Sequence, residues 1–237
     1  MTTKEIAEDI SNYCREHADP ALVQKYSRYF KDGYNGWGLP HDLFEAKAAE
    51  ILALPGMNIN RILQLARILV KSPKYEEVSM AIMMTLKLNK EWPPSIFKSV
   101  EEWFTLGITN WAHTDYISGE IISLLFKKNL ITLAMIGDWR FAKNKFQRRA
   151  AVVSLIKPMK LSSDFKPFFD FIDPMMTDPE REVHQGLGWF LRETWKKQPE
   201  PAEAFLFKWK ETAARLIFQY ATEKMTPEEK ARFRRTK

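Results

Sequence analysis

Apolar residues in this chain recur at helical spacing, and prolines interrupt the recurrence at roughly helix-sized intervals. In residues 60–72, NRILQLARILVKS, the side chains of Ile62, Leu65, Ala66 and Leu69 fall at three- and four-residue steps. Residues 77–90 repeat the pattern with Val78, Met80, Ala81, Met84 and Leu88, which reads as one buried helical stripe. Residues 109–126 and 146–158 do the same. Strand-like alternation bounded by turn residues does not appear over any useful length. Pro20, Pro40, Pro55-Gly56, Pro73, Pro93-Pro94, Pro158, Pro174, Pro179, Pro199 and Pro201 read as breakers between the stripes. The pattern predicts an all-α fold of about a dozen short helices with short loops. No glycine-rich or low-complexity linker divides it, so residues 1–237 read as one domain. A basic tail from about residue 226, with Lys230, Arg232, Arg234, Arg235 and Lys237, reads as a solvated, partly frayed end. Such a string of helices fits either a globular bundle or a superhelical stack of helix pairs, and self-similarity near ~40 residues is weak.

Composition narrows the function classes. The formal charge is +6, which permits binding to a polyanion without requiring it. Cys14 is the only cysteine, so no disulfide forms within the chain and no cysteine-based zinc site is expected. The four histidines are scattered, and neither a metal nor a cofactor is expected. A glycine-rich phosphate loop, HExxH, GxSxG and a calcium loop are all missing. The N-terminus lacks the apolar core of a signal peptide, and no stretch approaches ~18 apolar residues. The expectation is a cytoplasmic protein with no membrane partner.

Three places could carry chemistry. Trp111 and Asp115 are four residues apart and so share a helix face, where an aromatic ring beside a carboxylate can hold a cation-like group. The same spacing also suits a half-buried tryptophan beside a solvated aspartate. Arg140, Lys143, Lys145, Arg148 and Arg149 crowd a helix start near Asn144, which suits phosphate oxygens or a solvated basic face. Gly186 and Gly188 lie inside a helical run beside Trp189, and each glycine costs roughly 1 kcal/mol relative to alanine. They let a neighbour approach closely or leave room beside Trp189, and the same pattern also suits tight helix packing with a core tryptophan.

Taken together and in this order, these segments resemble the AlkD-like DNA alkylation repair family, from about Tyr26 to about Trp195. RYFKDGYNGWGLP at 28–40 looks like the family's early segment, WxxxD at Trp111 and Asp115 like its active-site helix. Asn144, Phe146 and Arg149 match an Asn-x-aromatic-x-x-Arg element, with phenylalanine where tryptophan is common. GWFLRE at 188–193 is similar to the family's GWxLRE. The resemblance implies a HEAT-like (ARM-type) helical-repeat superhelix with a concave basic surface. It implies a monomeric DNA glycosylase that releases cationic N3- and N7-alkylpurines from double-stranded DNA without a base-flipping pocket. Asp115 would be the catalytic carboxylate, with Trp111 and Trp189 flanking the lesion's deoxyribose. Arg149 would bind the adjacent phosphate; the doubled Arg148-Arg149 leaves one residue of ambiguity, and spacing to Asn144 favours Arg149. Tyr29 would lie near the DNA backbone, and Lys143 and Lys145 would help hold it. Gln185 stands where the family often has a basic residue. Two other readings remain: a non-catalytic protein that binds DNA structures on the same scaffold, and a protein-interaction scaffold.

Overall fold

Several helices start where the sequence supplies a capping oxygen or a proline for the first turn, whose N–H groups have no acceptor inside the helix. In the computed structural model, which describes residues 1–31 and 33–236, all regular structure is helical. Asp32, within the 28–40 segment, and Lys237, in the basic tail, lie outside the described residues. Chain contacts define two compact units, Met1–Ile108 and Thr109–Lys237.

The first unit comprises α1 (Thr3–Glu16), α2 (Pro20–Ser27), α3 (His41–Leu52), α4 (Ile59–Leu69), α5 (Tyr75–Lys87) and α6 (Ile96–Leu106). Thr2 and Glu5 form a capping box on α1, Asp19 caps α2 ahead of Pro20, and Asn58 caps α4. The α4 stripe of Ile62, Leu65, Ala66 and Leu69 is buried, as its spacing predicts. The α5 helix departs from the single stripe: every residue from Glu76 to Thr85 is buried, because α1, α3 and α4 all pack on it. Its glutamates are satisfied by the segment 34–38. The Glu76 carboxylate accepts from the Tyr34 hydroxyl (3.0 Å), the Trp37 amide (2.8 Å) and the Gly38 amide (2.8 Å). Gly38 sits at φ 73°, and a Cβ there would stand 2.3 Å from the Asp19 carbonyl oxygen, so only glycine fits this turn.

The second unit begins with α7 (Trp111–Tyr116), a π-helical stretch (Ile117–Ile122) and α8 (Ser123–Lys127). A 3₁₀ segment (Ala134–Phe141) leads to α9 (Lys145–Val153), α10 (Ile156–Leu161) and α11 (Lys166–Ile172). After a second 3₁₀ segment (Asp173–Thr177) come α12 (Arg181–Lys197), α13 (Pro199–Trp209), α14 (Arg215–Ala221) and α15 (Pro227–Ala231). The described residues thus hold more α-helices than the expected dozen, partly because 146–158 divides into α9 and α10 at Ser154 and Leu155. Pro158 is not a breaker; it sits in the first turn of α10, where its missing N–H leaves no bond unmade.

The α12 helix packs against α9 and α14, and its glycines explain how. A Cβ on Gly188 would meet the Tyr220 Cβ at 2.4 Å and the Ile217 carbonyl oxygen at 2.7 Å. A Cβ on Gly186 would meet Val152 Cγ1 at 3.1 Å and Arg149 Cγ at 3.4 Å. One glycine therefore admits α14 and the other leaves room for the stem of Arg149. No helix among the described residues is long and apolar enough to cross a membrane.

Candidate active site

Asn110 starts α7. Its side-chain oxygen accepts from the His113 amide (2.9 Å), and its amide nitrogen lies 2.7 Å from His113 Nδ1. His113 and Thr114 are buried and fix one side of the short helix. The other side carries Trp111 and Asp115, one turn apart. The indole is 38% exposed, and the Asp115 side chain keeps 16% of its surface in solvent. Directly after Asp115 the helix widens into the π stretch, a rare local form found often at functional sites. Serine hydroxyls tie this stretch down, with Ser118 donating to the Thr114 carbonyl (2.7 Å) and Ser123 to the Ser118 carbonyl (2.9 Å).

Asn144 caps α9 by accepting from the Phe146 amide (2.8 Å), which sets the register of the arginine doublet. Arg149 turns inward and is 6% exposed. Its Nε donates to Asp115 Oδ1 and its Nη2 to Asp115 Oδ2, both at 2.8 Å, a bidentate fork on the carboxylate. Its Nη1 donates to the Glu182 carbonyl at the start of α12 (2.7 Å). Three of the five guanidinium N–H groups are thus engaged. Arg148 points elsewhere. It forks onto Asp178 (2.6 and 3.2 Å) and donates to the carbonyls of Ala142 and Lys143. The doublet is therefore divided: Arg149 belongs to Asp115, and Arg148 ties the chain before α9 to the chain before α12.

The remaining expected contacts separate in the same way. Lys145 lies 2.9 Å from Glu182 and 3.7 Å from Glu180. Burial alone would raise the Glu182 carboxyl, but the hydrogen bond from Lys145 prevails and holds it below the ordinary range. Lys143 is exposed, with no acidic partner among the described residues. Trp189 is half-buried on α12, three residues beyond Gly186 and seven beyond Glu182, hence on the helix side that meets Arg149. Gln185 donates to the Tyr220 hydroxyl (2.8 Å). Tyr29, in the first unit, is 64% exposed just beyond α2. Asp178 and Glu182 were missed by sequence reasoning; the acids at 178, 180 and 182 were the only signal, and the partners of Asp178 and Glu182 lie 30 and 37 residues earlier. Among the described residues no group of three His, Cys, Asp or Glu side chains converges to hold a metal ion.

A family model described as DNA alkylation repair enzyme matches residues 10–225 of the chain. No curated protein sequence matches it. The fold is similar to that of a predicted DNA alkylation repair enzyme from Enterococcus faecalis, with 16% identity, a TM-score of 0.73, and coverage of 89% of this chain and 98% of that one. It is also similar to the crystal structure of AlkD2 from Streptococcus mutans, with 20% identity, a TM-score of 0.57, and coverage of 87% of this chain and 98% of that one. The helical-repeat class expected from the sequence is the fold these structures share.

Proposed function

The chain belongs to the DNA alkylation repair enzyme family, and from that premise we propose that it is a DNA glycosylase acting on cationic N3- and N7-alkylpurines in double-stranded DNA. The observation that carries this reading is the Asp115 carboxylate, forked by Arg149 and still open to solvent beside an exposed indole.

Alkylation at N3 or N7 gives the purine a fixed positive charge, so the base departs as a neutral molecule without an added proton. The electron pair of the glycosidic bond leaves with it, and positive charge develops at C1′ of the sugar. A carboxylate held in place before that charge appears stabilises it without reorganising. Asp115 fills this role and orients the water that adds to C1′; the proton lost by that water passes to the carboxylate or to solvent. Arg149 fixes the plane of the carboxylate, and its two remaining N–H donors serve the phosphate beside the lesion. Trp111 and Trp189 offer indole faces to the cationic sugar. Lys143, free in solvent, adds a backbone contact. The protein acts as a monomer in this scheme and encloses no flipped base.

Duplex DNA carrying 7-methylguanine tests the activity. Wild-type protein releases free 7-methylguanine well above the spontaneous rate, measured by liquid chromatography of the soluble fraction. Tight binding with release no faster than in protein-free DNA would replace this reading with that of a non-catalytic DNA-binding protein.

A further inference from the structure

The C-terminal basic segment is folded back onto the second unit. Thr226 and Glu229 form a capping box on α15. Beyond it Phe233 is 1% exposed, with ring centroids 4.7 Å from Phe207 and 6.5 Å from Phe218. This anchor carries Arg235 to Ala213, whose carbonyl accepts from its Nη2 at 3.1 Å. Arg215, two residues further along that chain, lies over the Phe218 ring at 4.4 Å. Its side chain is half-buried, and its buried Nη1 has no hydrogen-bond partner.

Neither arginine forms an ion pair with any described carboxylate. The acid that influences both is Glu211, already engaged by the Thr236 amide (3.1 Å) and hydroxyl (2.9 Å) and flanked by Lys210 (3.9 Å). Burial, and then the charge of Arg235, pull the Arg215 guanidinium below its ordinary range, with Glu211 opposing them. Buried polar groups in folded proteins are nearly always satisfied, so this one calls for an acceptor. A water molecule would complete hydrogen bonds but leave two like charges together. An oxyanion answers both needs, and phosphate matches the planar guanidinium fork.

We propose that Arg215 and Arg235 form a binding site for a phosphate group, carried by a free phosphate ion or by a nucleic-acid backbone. The backbone source extends the DNA reading above; the free ion does not depend on it.

The test uses the full chain. Inorganic phosphate is titrated against chloride at constant ionic strength while the arginine side-chain Nε–H resonances are followed by NMR. Saturable shifts of Arg215 and Arg235 are expected, lost in Arg235→Gln and Arg215→Gln and weakened in Arg235→Lys, which keeps the charge without the fork. Duplex affinity is then measured against salt. If backbone phosphate is the natural occupant, Arg235→Gln lowers the slope of log affinity on log salt by about one. If the free ion is, that slope stays unchanged while phosphate binding disappears. Wild-type resonances that ignore phosphate, together with an unchanged slope in Arg235→Gln, would overturn the site. Should Arg215→Gln fail to fold, the wild-type titration and the two Arg235 variants decide the question. Failure of base release with phosphate binding intact would remove the glycosylase reading and leave this site standing.

Discussion

Asp115 and Arg149 meet across 34 residues of sequence through two hydrogen bonds of 2.8 Å, with only 16% and 7% of their side chains exposed. Removing one partner leaves the other's charge unpaired and largely desolvated. Arg149→Ala is therefore expected to lower the unfolding free energy by about 3–5 kcal/mol, read from urea denaturation. A loss below about 1 kcal/mol would mean the pair behaves as an exposed one. Cys14 gives an independent check on burial. Desolvation, helped by Glu76 and Glu77, pushes its thiol up to about 12. Native protein at pH 9 should leave Ellman's reagent nearly unreacted, and unfolding in urea should expose one thiol per chain. The Trp111–Asp115 relation was legible because one helix turn is local geometry. The partner of each arginine was not, since Asp178 lies 30 residues from Arg148 and is reached only through the path of the intervening chain.

Among the helices, α12 does the most positioning: it takes Arg149 on the side of Glu182 and Gly186, and α14 on the side of Gly188. Gly188→Ala would drive a methyl into the Tyr220 Cβ and the Ile217 carbonyl oxygen. It is expected to destabilise the protein by about 1–3 kcal/mol, seen as a lowered urea midpoint. An unchanged midpoint would mean that α14 can move aside. The apolar stripe of α4 could be read directly from the sequence, because that helix buries one side. The full burial of α5 could not: it results from three helices packing on it, with Glu76 and Glu77 made tolerable by a segment some 40 residues earlier. The π stretch after Asp115 has no signature at the level of periodicity. The glycines of α12 were visible as anomalies, but which helix each would admit was a matter of tertiary packing.

At the scale of the molecule, the +6 charge is less available to a polyanion than the count of cations implies. Lys145, Arg148, Arg149 and Lys160 all bind carboxylates of their own chain. Some of these pairs link folding to pH. Burial alone would raise Glu193, but the hydrogen bonds from Lys160 and Lys196 outweigh it, and its carboxyl, like that of Glu182, lies below the ordinary value. A depressed folded value adds stability that is complete above the unfolded value of about 4.5 and fades as the pH falls through the folded one. Unfolding free energy should therefore decline below about pH 4.5, and Glu193→Gln should flatten that decline; an equally steep acid limb would contradict the linkage. The all-helical class was legible because periodicity and breakers are local properties. The neutralisation of Lys145, Arg148, Arg149 and Lys160 was not, since each of these pairs joins segments at least 30 residues apart.

The most direct measurement is the single-turnover release of 7-methylguanine by wild type and Asp115→Asn, with duplex affinity determined on the same preparations. Loss of the charged oxygen should slow release by about 10²- to 10³-fold while affinity stays within a few-fold. Equal release by the two proteins would contradict the account.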